Sequence, residues 1–248
     1  MILGDYHVHS KFSKDAVSTI KDNAQVGLIK GLKQIGSTEH AFYHQYGISK
    51  KDLPKIQDEV NAINASHPIR VLMGIEANLI SDKGEIDVPL SIQKSLDYVV
   101  LGTHKSCKFF TKPFPFVKFF KHLKLRGTSK KQIEKNTESY IKAMENNNVN
   151  ILAHLNYSCK VDVAKVGEVA KRLGIYIELN GRKNCLTKEE IKMLIDMGCQ
   201  FIVNSDAHNA ERVADCHKGI NIIEKNNIPE DLVANINKLP TFAKRFEW

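Results

Sequence analysis

The sequence predicts an α/β fold of parallel strands closed into a barrel, and three observations predict it. Short apolar runs alternate with amphipathic stretches along the chain. Such alternation places helices outside a mainly parallel sheet. The chain has 248 residues, a normal size for one α/β barrel of about 250 residues. Polar residues also recur where the apolar runs end, and in a barrel those ends share one face. An open doubly wound sheet is the alternative that the same alternation permits.

The apolar runs predict seven strands, at 2–6, 31–36, 70–74, 96–102, 150–153, 174–179 and 200–203. Helical stretches are predicted at 18–32, 51–65, 129–146, 162–173 and 187–197. Within 129–146, Ile133, Tyr140, Ile141 and Met144 recur near helical spacing. Seven units at this length suggest a barrel one strand short of the usual eight. No linker or low-complexity tract interrupts them, so residues 1–248 read as a single domain. Residues 105–128 break the pattern. They hold six of the eleven phenylalanines among many lysines. The segment reads as an insertion after the fourth strand, either a lid over a site or a satellite core.

The net charge of +8 suits an anionic substrate without choosing its kind. A solvated lysine-rich surface explains most of those lysines equally well. The five cysteines are odd in number, scattered and free of any CxxC pair, which argues against a disulfide framework and for a reducing cytoplasm. No apolar run approaches the roughly 20 residues of a membrane span, and the first residues do not read as a signal peptide. Oligomeric state leaves no mark on the sequence.

The informative residues stand at the strand ends. The first strand ends in His7-Val-His9, and residues two apart on a strand face the same side. Later strands lead into His40, Glu76, His104, His154 and the Asp206-Ala-His208 run, and Asp15 lies in the turn after the first strand. His40 and Asp15 are expected from loops adjoining the strand ends. Each motif alone has an ordinary explanation. An HxH pair can be two polar strand positions, a single histidine can be a bonded core residue, and Asp206 can cap a helix. Recurrence at the same place in successive strands is what favours a shared site. Imidazole with carboxylate suits zinc, manganese or iron. Nine candidate ligands exceed the needs of one ion and suffice for two or three. His44, His67, His122 and His217 lie away from the predicted strand ends and read as ordinary.

These motifs resemble the PHP superfamily, named for polymerase and histidinol phosphatase. The matching residues are Asp5-Tyr-His7-Val-His9-Ser, Thr-Glu-His40, Gly-Ile-Glu76-Ala-Asn, Gly-Thr-His104, Ala-His154 and Asn-Ser-Asp206-Ala-His208. The stretch from Gly74 to Asp87 is most similar to the YcdX-like branch of small stand-alone bacterial phosphatases. The resemblance implies a distorted (β/α)7 TIM-like barrel with a trinuclear metal site. By matching position, His7, His9, Glu76 and Asp206 would hold one metal. Glu76, His104 and His154 would hold a second, and Asp15, His40 and His208 a third. The similar branch has histidine where this chain has Asp15, and the harder carboxylate alters metal preference there.

The expected activity is hydrolysis of a phosphomonoester by a metal-bridging hydroxide at two or three divalent ions, zinc first and manganese or iron next. No GxSxG elbow or P-loop is present to suggest another chemistry. Arg182, Lys183, Lys105 and Arg212 are the candidate phosphate ligands, Arg182 foremost. Asp5 is a candidate for orienting a ligand histidine. The expected partner is a small phosphorylated substrate. A histidinol-phosphate phosphatase and a single-strand nuclease are the alternatives within enzymes, the nuclease less favoured. A non-catalytic binding domain is the alternative outside them.

Overall fold

The computed structural model describes residues 1–104, 107 and 129–246. The expectations for Lys105 and for residues 105–128, Cys107 apart, lie outside the described residues. The strands are β1 (Gly4–Asp5), β2 (Gln34–His40), β3 (Arg70–Asn78), β4 (Tyr98–Gly102), β5 (Val149–Leu152), β6 (Tyr176–Asn180) and β7 (Phe201–Asn204). They form one sheet in sequence order with every pairing parallel. Beyond Asp5 the chain is held from both sides. Val8 forms a parallel bridge with Ala207, and Thr38 N–H donates to the Val8 carbonyl at 2.8 Å. The sheet therefore curls round until the segment after β1 meets the segment after β7. The fold is a (β/α)7 TIM-like barrel, and the open-sheet alternative falls.

All seven predicted strands are present, with shifted ends. Gly31 has φ +87°, a turn that ends the first helix, so β2 starts three residues late. It then runs on through polar Ser37, Thr38 and Glu39 to His40, which is the last strand residue and not a loop residue. A polar run can be buried here because its carboxylate is paid for locally. Glu39 accepts from the backbone N–H and hydroxyl of both Ser10 and Ser13, and from the Ser37 hydroxyl.

The helices are α1 (Ile20–Ile29), α2 (Leu53–Ser66), α3 (Leu90–Gln93), α4 (Lys130–Asn146), α5 (Val163–Leu173), α6 (Lys188–Asp196) and α7 (His217–Asn226). Local sequence sets their ends. Thr19 with Asp22, and Thr187 with Glu190, form capping boxes at α1 and α6. Gly174, in the left-handed conformation, closes α5.

Strand alternation divides the apolar residues into two cores. Along β3, Val71, Met73, Ile75 and Ala77 pack in the larger cluster, together with apolar residues of the surrounding helices. The intervening Leu72, Gly74, Glu76 and Asn78 face the barrel interior. The floor of that interior is aromatic: Tyr6 and Tyr98 are buried with Val100, Ile151 and Ile202, and Phe242 stacks on Tyr98 at 4.7 Å. The Tyr98 ring lies against the inner wall where β2 and β3 carry Gly36 and Gly74. A Cβ on Gly74 would stand 2.3 Å from Tyr98 Cζ. Below Glu76 the barrel is filled by these apolar and aromatic side chains, and the clustered histidines and acids stand at the mouth above it.

Replacing Gly74→Ala should therefore destabilise the fold by about 1–3 kcal/mol through overpacking, read as a lower urea midpoint at constant slope. Adding Tyr98→Leu should recover part of the loss. An unchanged loss in that background would show that the ring is not the obstacle.

Candidate metal centre

The C-terminal ends of the strands converge on Glu76, which is fully buried on β3. Its Oε1 lies 3.1 Å from His154 Nε2, 3.2 Å from His104 Nε2 and 3.4 Å from His7 Nε2. Its Oε2 lies 2.7 Å from His40 Nδ1 and 3.8 Å from His9 Nε2. Asp206, just past β7, stands 3.7 Å from His9 Nε2 and 3.9 Å from His7 Nε2. Asp15 faces His40 Nε2 at 3.4 Å and His208 Nε2 at 3.5 Å. All nine ligand candidates from the sequence thus meet at one mouth of the barrel. Their grouping overlaps the three implied sets only in part: His9, His40 and His208 form one cluster, and Asp15 and Asp206 stand beside the clusters. His7, His9 and Glu76 form a second, and Glu76, His104 and His154 a third. Asp15, His40 and His208 are joined by the two contacts just given.

Space for the charge is made by Gly102. A Cβ there would approach Glu76 Oε1 and His104 Cε1 at 3.1 Å each. His154 and Asp206 hold φ of +29° and +54°, values that a non-glycine residue adopts only when its surroundings impose them. Backbone contacts supply the constraint, since His154 N–H donates to Glu178 Oε2 at 2.8 Å.

Sequence reasoning passed over Glu178, which organises the floor of the site. Its Oε1 accepts from His7 Nδ1 at 2.7 Å, so the proton sits on Nδ1 and Nε2 is presented inward. Asn180 and Asn204 also donate to it. The signal was available, because an acid two residues before the end of a buried strand needs partners. Asn78 does the same for His104. Its Oδ1 accepts from His104 Nδ1 at 2.7 Å, and its amide nitrogen donates to Asp87, which fixes the amide orientation. Asp5 plays a different part from the one expected of it. Its carboxylate accepts from Ser205 and Ala214 and from the His7 backbone N–H, so it ties β1 to the loop after β7, and among the described residues it bonds to no histidine ring.

The residues fit a cation cluster. His7 Nε2, both ring nitrogens of His9, and His104 Nε2 are buried and make no hydrogen bond of acceptable geometry among the described residues. Buried polar atoms of that kind cost free energy unless a partner is supplied. Burial would push the Glu76 carboxyl up, but His104 and His7 override it and hold it well below its ordinary range. Burial likewise opposes ionisation of Asp206, and His7 with Lys183 brings it down to about 2. Both carboxylates are therefore anionic donors. Burial, reinforced by His40 and His208, keeps His9 neutral.

A cavity of about 330 Å³ opens above this cluster. Arg182 and Lys183 line it with Tyr46, Tyr157 and Ser158. Arg182 Nη1 donates to the Asp206 carbonyl at 3.2 Å and lies 2.7 Å from His208 Nδ1. Lys183 Nζ is 3.5 Å from Asp206 Oδ2 and 5.0 Å from the Tyr157 ring centroid. Arg212 is a correction. It pairs with Asp215 at 2.9 Å, its neighbour in a turn of 3-10 helix and loop, and does not line this cavity. His44, read as ordinary, proves to be a buried member of the cluster.

A family model described as the PHP domain matches residues 5–184. The chain belongs to the PHP domain family. Asp206 and His208 lie beyond the matched span, yet they close the same cluster against His7, His9 and Asp15. A protein named probable phosphatase from Caldanaerobacter subterraneus subsp. tengcongensis is 30% identical, with 93% of this chain and 86% of that protein covered. Another of the same name, from Thermoanaerobacter sp., is 31% identical over 97% of this chain and 94% of its own. Among solved structures, the histidinol phosphate phosphatase of Lactococcus lactis, complexed with zinc, L-histidinol and phosphate, superposes with a TM-score of 0.58. It covers 97% of this chain and 96% of its own at 16% identity, a likeness of fold.

Two outcomes follow from this geometry. Glu178→Gln should weaken divalent-cation binding by about 10–100-fold, because the charge is lost and one acceptor oxygen becomes an NH2 donor that must face either His7 Nδ1–H or the His154 N–H, while the shape is kept. Calorimetric titration with zinc measures it, and an unchanged affinity would remove Glu178 from the support of the site. Second, neighbouring acids raise the His40 pKa to about 9 against the opposing effect of burial. A cation must displace that proton. Affinity should therefore rise as pH rises toward 9, with proton release seen as a buffer-dependent enthalpy. An affinity that does not vary with pH would contradict the assignment.

Proposed function

We propose that this chain is a metal-dependent phosphatase that hydrolyses phosphomonoesters. The observation that carries it is the ring of six imidazoles and two further carboxylates around Glu76 beneath a cavity walled by Arg182 and Lys183. The names of the two bacterial relatives support the same reaction class. The ligands are His7, His9, Asp15, His40, Glu76, His104, His154, Asp206 and His208. They suffice for two or three divalent ions, with zinc the best match to an imidazole-rich set. Such ions supply a water of lowered pKa and Lewis-acid charge on the phosphoryl oxygens.

The chain's own residues supply the rest. Glu178 and Asn78 hold His7 and His104 with Nε2 inward. Arg182 and Lys183 bind phosphoryl oxygens, the arginine through its planar fork of donors. Tyr46 and Tyr157 wall the space left for the leaving alcohol. The catalytic unit runs from β1 through the segment after β7, since the site needs both, and residues 1–248 act as one domain. Among the described residues no helix is long and apolar enough to cross a membrane.

Purified protein should carry two or three equivalents of metal and turn over p-nitrophenyl phosphate. Chelation should abolish turnover, and zinc or manganese should restore it. Asp206→Asn should lose activity while staying folded. Arg182→Met should lower kcat/KM by roughly 10–100-fold, the cost of a charged hydrogen bond. Full metal occupancy with wild-type turnover in Asp206→Asn would refute the proposal.

A further inference from the structure

We propose that His44 is a metal ligand, and that with His40 and His104 it makes an imidazole-rich cation site at the edge of the carboxylate-centred ones. The inference rests on the metal-centre reading above and extends it to a residue outside the nine.

His44 lies in the loop that leaves β2, and the loop is folded so as to bring it back over the strand end. Its N–H donates to the Ala41 carbonyl at 3.2 Å, and its own carbonyl accepts from Gly47 at 2.9 Å. Ile48 N–H then returns to the His40 carbonyl at 2.9 Å. Only glycine fits at 47, because a Cβ there would stand 1.8 Å from the Ala41 carbonyl oxygen. An antiparallel bridge to Cys107 pins the loop to the segment after β4, the strand that leads to His104.

The result is a buried imidazole with two others beside it. The His44 ring centroid lies 3.8 Å from that of His40 and 4.9 Å from that of His104. One nitrogen from each of the three residues lies within 4.8 Å of the others. Nitrogens bound to one tetrahedral zinc at about 2.1 Å stand roughly 3.4 Å apart, so the three side chains close in on the ion when it binds. His44 also lines the cavity above the cluster, so an ion held there faces the substrate space.

The donor set gives the proposal its signature. Three imidazoles, with Glu76 the adjacent carboxylate, favour zinc or cobalt, whereas manganese and magnesium favour a mostly oxygen donor set. His104 offers only Nε2, since its Nδ1 bonds Asn78, so an ion here and an ion held by Glu76, His104 and His154 exclude one another, and His44 adds selectivity rather than a wholly separate centre.

The test is zinc and manganese titration of the full chain by calorimetry, with metal content by mass spectrometry. Wild type is compared with His44→Gln, Gly47→Ala and Asp206→Asn, and melting temperature is followed in the metal-free state. His44→Gln should weaken one class of zinc sites by at least about tenfold, with manganese binding little changed and the metal-free melting temperature kept. Gly47→Ala, which displaces the imidazole without removing it, should show the same loss. Asp206→Asn should weaken the carboxylate-centred class and leave the His44-dependent class. Superimposable zinc isotherms for wild type and His44→Gln would overturn this inference alone and leave His44 as packing. Equal loss of zinc and manganese would also overturn it. Wild type that takes up no metal would overturn the metal-centre reading itself.

Discussion

Everything at the mouth of this barrel is arranged around the buried carboxylate of Glu76. An ionised acid in a protein interior is costly unless partners compensate it. Here five imidazoles, from His7, His9, His40, His104 and His154, stand within 3.8 Å of its two oxygens. The room for it comes from Gly102 on the next strand. The positions of those histidines come from strands that all point the same way, which only a parallel barrel provides. A structural demand, compensation of one charge, thus coincides with a chemical one, several donors directed at a common point.

The interior divides along its axis for a related reason. Strand alternation sends every second residue inward, and those residues change character from bottom to top. On β3 the inward series is Leu72, Gly74, Glu76, Asn78, and on β4 it is Tyr98, Val100, Gly102, with His104 two residues past the strand end. The lower half is apolar and filled by the Tyr98 and Tyr6 rings, with Phe242 of the C-terminal segment stacked beneath. That floor closes the underside of the site with apolar and aromatic side chains, so the buried carboxylates and imidazoles above it need polar partners on their other sides. The glycines at 36 and 74 are part of this division, because the ring fills the volume that side chains would take.

A layer of supporting contacts fixes the donors in direction. Glu178 orients His7 and holds the strained backbone of His154. Asn78, itself held by Asp87, orients His104. Glu39 gathers the Ser10 and Ser13 turn that leads to Asp15, and Ser13 in turn accepts from the His40 N–H. Preorganisation of this kind lowers the cost of collecting several ligands about one ion. It also explains why polar residues occupy strand interiors that composition alone would assign to loops.

The sequence by itself determined the barrel and its nine candidate donors. Apolar runs alternating with amphipathic stretches dictate parallel strands and outer helices, and histidines and acids at the run ends dictate a polar mouth. Both are properties of local order along the chain, so they are legible without coordinates. Strand ends were read less well, since β2 and β3 extend through Glu39 and Asn78, whose burial depends on partners distant in sequence. Only the tertiary structure decided which acids orient ligands. It gave that part to Glu178 and gave Asp5 the joining of β1 to β7. It also moved Arg212 onto Asp215 and brought His44 into the cluster through a loop closed at Gly47. These roles depend on direction and on contacts between residues far apart in the chain, and a one-dimensional pattern carries neither.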